Sequence, residues 1–183
     1  CASTSITDSW MEPGLTGPVE FDKVVVVFMS QDRAIRYSAE DKMAKLVAAN
    51  DHEVKTSYSV FGNGRPKGPE EAVEELLHLG FDGAIVMSII AEDKELSYSP
   101  GMSYPMHYRS FGGYYGYGWG MAYDPGYLRT DTIVKVETSV FSLEDDRLLW
   151  SGVSESFNPK SASKMVEGVA KAVAKDLSAR GLI

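Results

Sequence analysis

The chain has 183 residues, 44% hydrophobic and 24% charged, the balance of a single globular domain with enough apolar material for a core. Its formal charge of −8 argues against a nucleic-acid binder, whose affinity rests on clustered Lys and Arg, and against docking on anionic lipid by charge alone. No apolar run approaches the roughly 18–20 residues that cross a bilayer as a helix.

Residues 1–22 contain Pro13, Gly14, Gly17 and Pro18 and little periodicity, so they read as a tether and entry loop. The run KVVVVFMS over 23–30 is continuously apolar and β-branched, as expected of a strand buried on both faces. Ile35, Ala39, Met43, Leu46 and Val47 then recur on one stripe, which predicts a helix over 34–50. HEVKTSYSVF (52–61) reads as a second strand. GNGRPKG breaks the chain, and Pro69, Glu70 and Glu71 open a helix whose apolar positions are Ala72, Val73, Leu76 and Leu77. A third strand is expected over 81–91 and a half-exposed fourth over 130–143, with Val134, Val136 and Val140 on one side and Lys135, Glu137 and Ser139 on the other. EDDR supplies a turn, and LLWSGVSESF (148–157) a return strand that brings Trp150 to the core. The final helix runs over 161–179, with Met165, Val166, Val169, Val173 and Leu177 inward and Gly181 as its stop.

The expected fold is therefore α/β (α+β). A mixed sheet of about five strands in the order βαβαββα carries its helices packed on it, because strands joined by helices pair most easily in parallel. The tether occupies 1–22 and a single domain 23–183. Residues 97–128 form a Tyr/Gly-rich excursion between the third and fourth strands, and connections that long are usually functional or disordered.

A search for chemistry finds little. His52, His78 and His107 lie far apart and form no ligand spacing, so no metal is expected. GNGRPKG could hold an anion before a helix, but it lacks a phosphate-loop frame. Glu70, Glu71, Glu74 and Glu75 crowd one helix, and Glu144, Asp145 and Asp146 one turn. Catalytic carboxylates need differently tuned environments across a cleft, and adjacent solvated acids give no sign of one. Asp131 and Glu155 fall on strands without a nameable partner. The expectation is a protein that is not an enzyme and takes no cofactor.

The segment FGGYYGYGWGMAYDPGY (111–127) is the exception. Widened to 98–127 it collects eight of the ten tyrosines. Tyrosine offers large amphipathic contact area at low entropic cost, and glycine lets backbones approach closely. Near absence of Lys and Glu fits burial against something. Tyr114, Tyr115, Tyr117, Trp119 and Tyr123 are the expected partner-binding residues, for an envelope protein or a second copy of the chain. The alternative is a glycan module in which Trp119 and its neighbouring tyrosines stack on peptidoglycan or polysaccharide.

The single cysteine is residue 1, followed by the polar run ASTSITDS, and it is expected to carry the lipid of a bacterial lipoprotein. Cys1, DSWMEPG (8–14), the KVVVVFMS strand, the Tyr/Gly excursion and the closing 130–159 stretch together resemble small bacterial envelope lipoproteins. More distantly, the β/α order is similar to the amino-terminal α/β domain of TolB. The resemblance implies a lipidated cysteine that anchors the domain to a membrane, usually the outer one, facing the periplasm. It also implies action by binding rather than catalysis. Ala2 after the cysteine agrees with outer-membrane sorting as that family implies it.

Overall fold

Residues Ser3–Met11 form an edge strand, β1, where a tether is expected over 1–22. The structure is a computed structural model and describes residues 3–48, 53–62, 68–99 and 127–180. β1 pairs antiparallel with the last strand, Ser3 opposite Phe157 and Met11 opposite Trp150. Five of its nine side chains are Ser or Thr, and among the described residues it is the outermost strand of the sheet. A register shift between Ile6 and Asp8 further blurs the alternation.

The next elements are β2 (Lys23–Met29), α1 (Arg33–Val47), β3 (Glu53–Thr56), α2 (Ser57–Phe61) and α3 (Pro69–His78). They are followed by β4 (Gly83–Ser99), β5 (Tyr127–Ser142), β6 (Arg147–Phe157) and α4 (Ala162–Ala179). The sheet is mixed and six-stranded, in the order β1-β6-β5-β4-β2-β3. β2 runs parallel to both β3 and β4, while β6 runs antiparallel to β5 and β1. The mixed α/β class is as expected, with one strand more than anticipated at the β6 edge.

A second departure lies in 52–61. Only Glu53–Thr56 is strand, and Ser57–Phe61 turns into α2. Tyr, Val and Phe favour strands locally. Here hydrogen bonds from Ser57 and Tyr58 to Glu40 of α1 override that preference.

Helices cover both faces. On one, α1 and α4 bury Ala39, Met43, Val169 and Val173 against Val24, Val26, Ile85, Val136, Val140 and Trp150 of the sheet. On the other, Leu76 of α3 and Phe61 of α2 meet Val25, Phe81 and Ala84. α1 begins where the Asp32 carboxylate accepts hydrogen bonds from the backbone N–H of Ala34 (2.9 Å) and Ile35 (3.1 Å). Ser161 caps α4 in the same manner through Lys164 N–H. The β5–β6 turn closes with Asp146 at φ 48°, a conformation that Asp tolerates.

Two close approaches set how α4 sits. A Cβ at Gly168 would overlap Thr4 Oγ1, so the glycine lets β1 lie directly on the helix. A Cβ at Gly152 would overlap the six-membered ring of Trp150, which lies folded along its own strand. At the other end of the sheet, the Asp82 carboxylate accepts from the N–H groups of Asp22 (2.7 Å) and Lys23 (2.9 Å). That clamp fixes where the 12–22 loop enters β2.

The chain divides into two compact units. The first holds residues 1–92 and 133–183 and contains both faces just described. The second, Asp93–Thr132, comprises the far portions of β4 and β5 and the residues between them. Of that unit 93–99 and 127–132 are described, and Asp131 is buried there.

Candidate functional site

Cys1, Tyr114, Tyr115, Tyr117, Trp119 and Tyr123 all lie outside the described residues, as do His52 and His107. The described part of the chain presents other features. His78 is exposed at the end of α3. Among the described residues no group of His, Cys, Asp and Glu could hold a metal ion, and no helix is long and apolar enough to cross a membrane.

Glu40 is the most deeply placed charged side chain, fully buried on α1. Its Oε1 accepts from the Phe28 N–H at 3.1 Å and the Ser57 hydroxyl at 2.7 Å, and its Oε2 from the Tyr58 N–H at 3.3 Å. Arg36 Nε lies 3.5 Å from Oε1, one helical turn away. Tyr58 in turn donates to Asp41 Oδ1 at 2.6 Å, a bond that raises the phenol's pKa above its ordinary value, and its ring meets Tyr37 at 4.3 Å. The carboxylate thus ties together α1, the end of β2 and the start of α2. With its oxygens occupied on several sides, Glu40 is a structural junction.

Beside this junction, at the carboxyl end of β2, is a shallow hollow of about 540 Å³ between Met29, Gln31, Arg36, Ser57 and Leu76. Carboxyl ends of parallel strands are where open α/β sheets usually bind ligands. The hollow's cation, Arg36, is already paired with Glu40.

A more enclosed feature lies on the α1/α4 face, a crevice of about 300 Å³ between the two helices. α1 contributes Met43, Leu46 and Val47, and α4 contributes Ala170, Val173, Ala174 and Leu177. The sheet contributes Val24, Ile85, Val140 and Trp150 to the lining, and the entry loop Val19 and Phe21. Phe21 packs so closely on Gly83 that a Cβ there would overlap its ring. Ser178 is the polar lining residue, and none of the lining residues carries a charge.

α4 contributes alanine twice to this lining, Ala170 and Ala174, one turn apart. Native interiors leave few voids larger than a water molecule. The sequence marks Met43, Leu46, Val47, Val173 and Leu177 as inward-facing, and the structure brings them together with Leu46 at the rim, 36% exposed. Periodicity assigns residues to a face and is blind to a gap between two faces. The alanine pair is the single signal that could have pointed to it.

The fold and crevice define an α/β domain with helices on both faces of a mixed sheet and an apolar recess under one helix pair. No protein-family model and no curated protein matches the sequence. Among solved structures, the chain is similar to the PelC dodecamer from Paraburkholderia phytofirmans, with a TM-score of 0.48 and 14% identity over 100% of this chain and 99% of that one. It is also similar to the lipoprotein GNA1162 from Neisseria meningitidis, with a TM-score of 0.45 and 15% identity over 86% and 98%. These are likenesses of general chain path, and nothing about function follows from them.

Proposed function

We propose that this is a non-enzymatic, lipid-anchored envelope protein that binds a protein partner, or a second copy of itself, through its Tyr/Gly-rich segment. The observation that carries the proposal is compositional: eight of the ten tyrosines and Trp119 fall within 98–127, a stretch with no Lys or Glu. Aromatic enrichment with depletion of Lys and Glu is the signature of an interface core. In this reading Cys1 carries the lipid, and the membrane is the outer one, with the domain facing the periplasm.

Intact-mass measurement of protein purified from membranes tests the anchor. Acyl mass on Cys1, and release of Cys1→Ser to the soluble fraction, is the expected outcome; an unmodified thiol on membrane-purified material contradicts it. For the contact surface, Trp119→Ala, Tyr115→Ala and Tyr117→Ala are each expected to weaken association by about 2 kcal/mol, roughly thirtyfold. Sedimentation with insoluble peptidoglycan or polysaccharide that depends on the same side chains would instead support the glycan reading.

A further inference from the structure

We infer that the lysine face of α4, beside β1, lies on anionic phospholipid headgroups of the bilayer that holds the Cys1 lipid. The inference rests on the proposed anchor and adds to it the orientation of the domain.

Positive charge is concentrated on this face in an otherwise acidic chain. Lys160, Lys164, Lys171 and Lys175 fall within 160–175 with one acid, Glu167, so this stretch carries +3 in a chain of −8 and the remainder carries −11. Lys164, Lys171 and Lys175 stand seven and four residues apart on α4, which aligns them in one stripe about 17 Å long. All four lysines are exposed, and they share one surface with Ser3 and Thr4 of β1. Glu167 holds Lys164 at 2.9 Å and Lys171 at 2.8 Å, yet these two side chains remain 67% and 64% exposed. Exposed pairs of this kind contribute little, so a phosphate oxygen competes readily with the carboxylate. Among the described residues, Lys160 and Lys175 have no acidic partner at all.

The other face of the sheet has the opposite sign. α3 carries Glu70, Glu71, Glu74 and Glu75 and no Lys or Arg. On the α1/α4 face, α1 has four Lys or Arg against two acids, and α4 three Lys against two acids. A domain polarised in this way turns its α4 face to an anionic surface and its α3 face away. The anchor agrees with that orientation. Gly168 lies on the lysine stripe, and a Cβ there would overlap Thr4, so the opening residues of β1 run alongside the lysines. Cys1 precedes Ser3 by two positions in the chain, which brings its lipid to the β1 edge of the sheet. The acidic remainder forbids attachment by charge alone. Once a lipid supplies attachment, charges within about 8 Å of the surface dominate, and on this face those are the lysines. Asp8, the one acid of β1, lies four residues beyond Thr4, about 13 Å along the strand.

The test places the full chain on vesicles through its single thiol. Unacylated protein is coupled at Cys1 to a maleimide lipid in phosphatidylcholine vesicles, with or without phosphatidylglycerol, and lysine acetylation is followed by mass spectrometry. On phosphatidylglycerol, Lys164, Lys171 and Lys175 should react about fivefold more slowly than on phosphatidylcholine, the factor that one lysine gains at an anionic surface. Lys55, on β3 at the opposite edge of the sheet, should react equally on both. High salt should remove the difference. In a chain with Lys164→Gln, Lys171→Gln and Lys175→Gln, Lys160 should lose its protection, and Arg at the same three positions should preserve it. Equal acetylation on the two vesicles would overturn the inference, as would protection of Lys160 that survives the Gln substitutions. Protection that arises without vesicles and grows with protein concentration would assign the face to a second copy of the chain, and overturn it too. Because the coupling is chemical, failure of the native anchor shows in the intact mass and failure of this orientation in the acetylation pattern.

Discussion

Trp150→Ala is expected to destabilise the fold by about 3–5 kcal/mol, the range for truncating a buried Trp, and to lower the melting temperature by roughly 10 °C. The ring is wholly buried under α4 and lies over Gly152, which has no side chain to fill the space left behind. Its loss also breaks a bridge between elements. Trp150 Nε1 donates to Asp176 Oδ2 on α4, and the same oxygen accepts from Arg180 Nε at 2.6 Å. Arg180 reaches onward to the hydroxyl of Ser9 on β1. One indole thus connects β6, the end of the last helix and the edge strand. Trp150→Phe keeps most of the apolar body and leaves Asp176 paired with Arg180, so its loss is confined to about 1–2 kcal/mol for the donor and the reduced ring. Urea unfolding resolves the two. An alanine variant with the parent's midpoint would mean that the indole is not in the core.

The second large effect is expected at Glu40. Breaking a buried charged junction by removing one partner typically costs about 3–5 kcal/mol, because the remaining groups stay buried without compensation. In Glu40→Ala those groups are the Ser57 hydroxyl, the N–H of Phe28 and of Tyr58, and the Arg36 guanidinium. The loss should be felt first in α2, whose opening residues are held by the carboxylate. Amide exchange at Tyr58 is therefore expected to accelerate before the global unfolding limit is reached. Ser57→Ala removes one donor from the same oxygen and should cost about 1 kcal/mol. A Glu40→Ala chain within about 1 kcal/mol of the parent would show that the junction is not a significant source of stability.

Much of this architecture is legible from residues alone where burial is two-sided or periodicity is clean. KVVVVFM is β2 because an uninterrupted β-branched run suits a strand with helices on both faces. The alternation of Val134, Val136 and Val140 with Lys135, Glu137 and Ser139 marks β5 for the opposite reason, since only its inner face is deeply buried. Legibility fails where the decisive contact is distant. β1 is polar because it lies at an edge, and its place is set by Gly168 and Ser156, about one hundred and fifty residues away. α2 carries strand-forming residues and is turned by Glu40, seventeen residues earlier. The crevice was hidden for a related reason. Ala170 and Ala174 look like any small core residues until α1 is set opposite them.

Light scattering on the intact chain and on a chain lacking Gly112–Ala122, run with urea unfolding of both, tests the proposed contact surface most directly. β4 and β5 flank the excursion with apolar patterns of their own, so the shortened chain should keep the parent's unfolding midpoint while losing self-association or partner binding. Loss of the fold on deletion would place the rings in the domain's own core and contradict the proposal. A folded deletion variant that retains every association of the parent would contradict it equally.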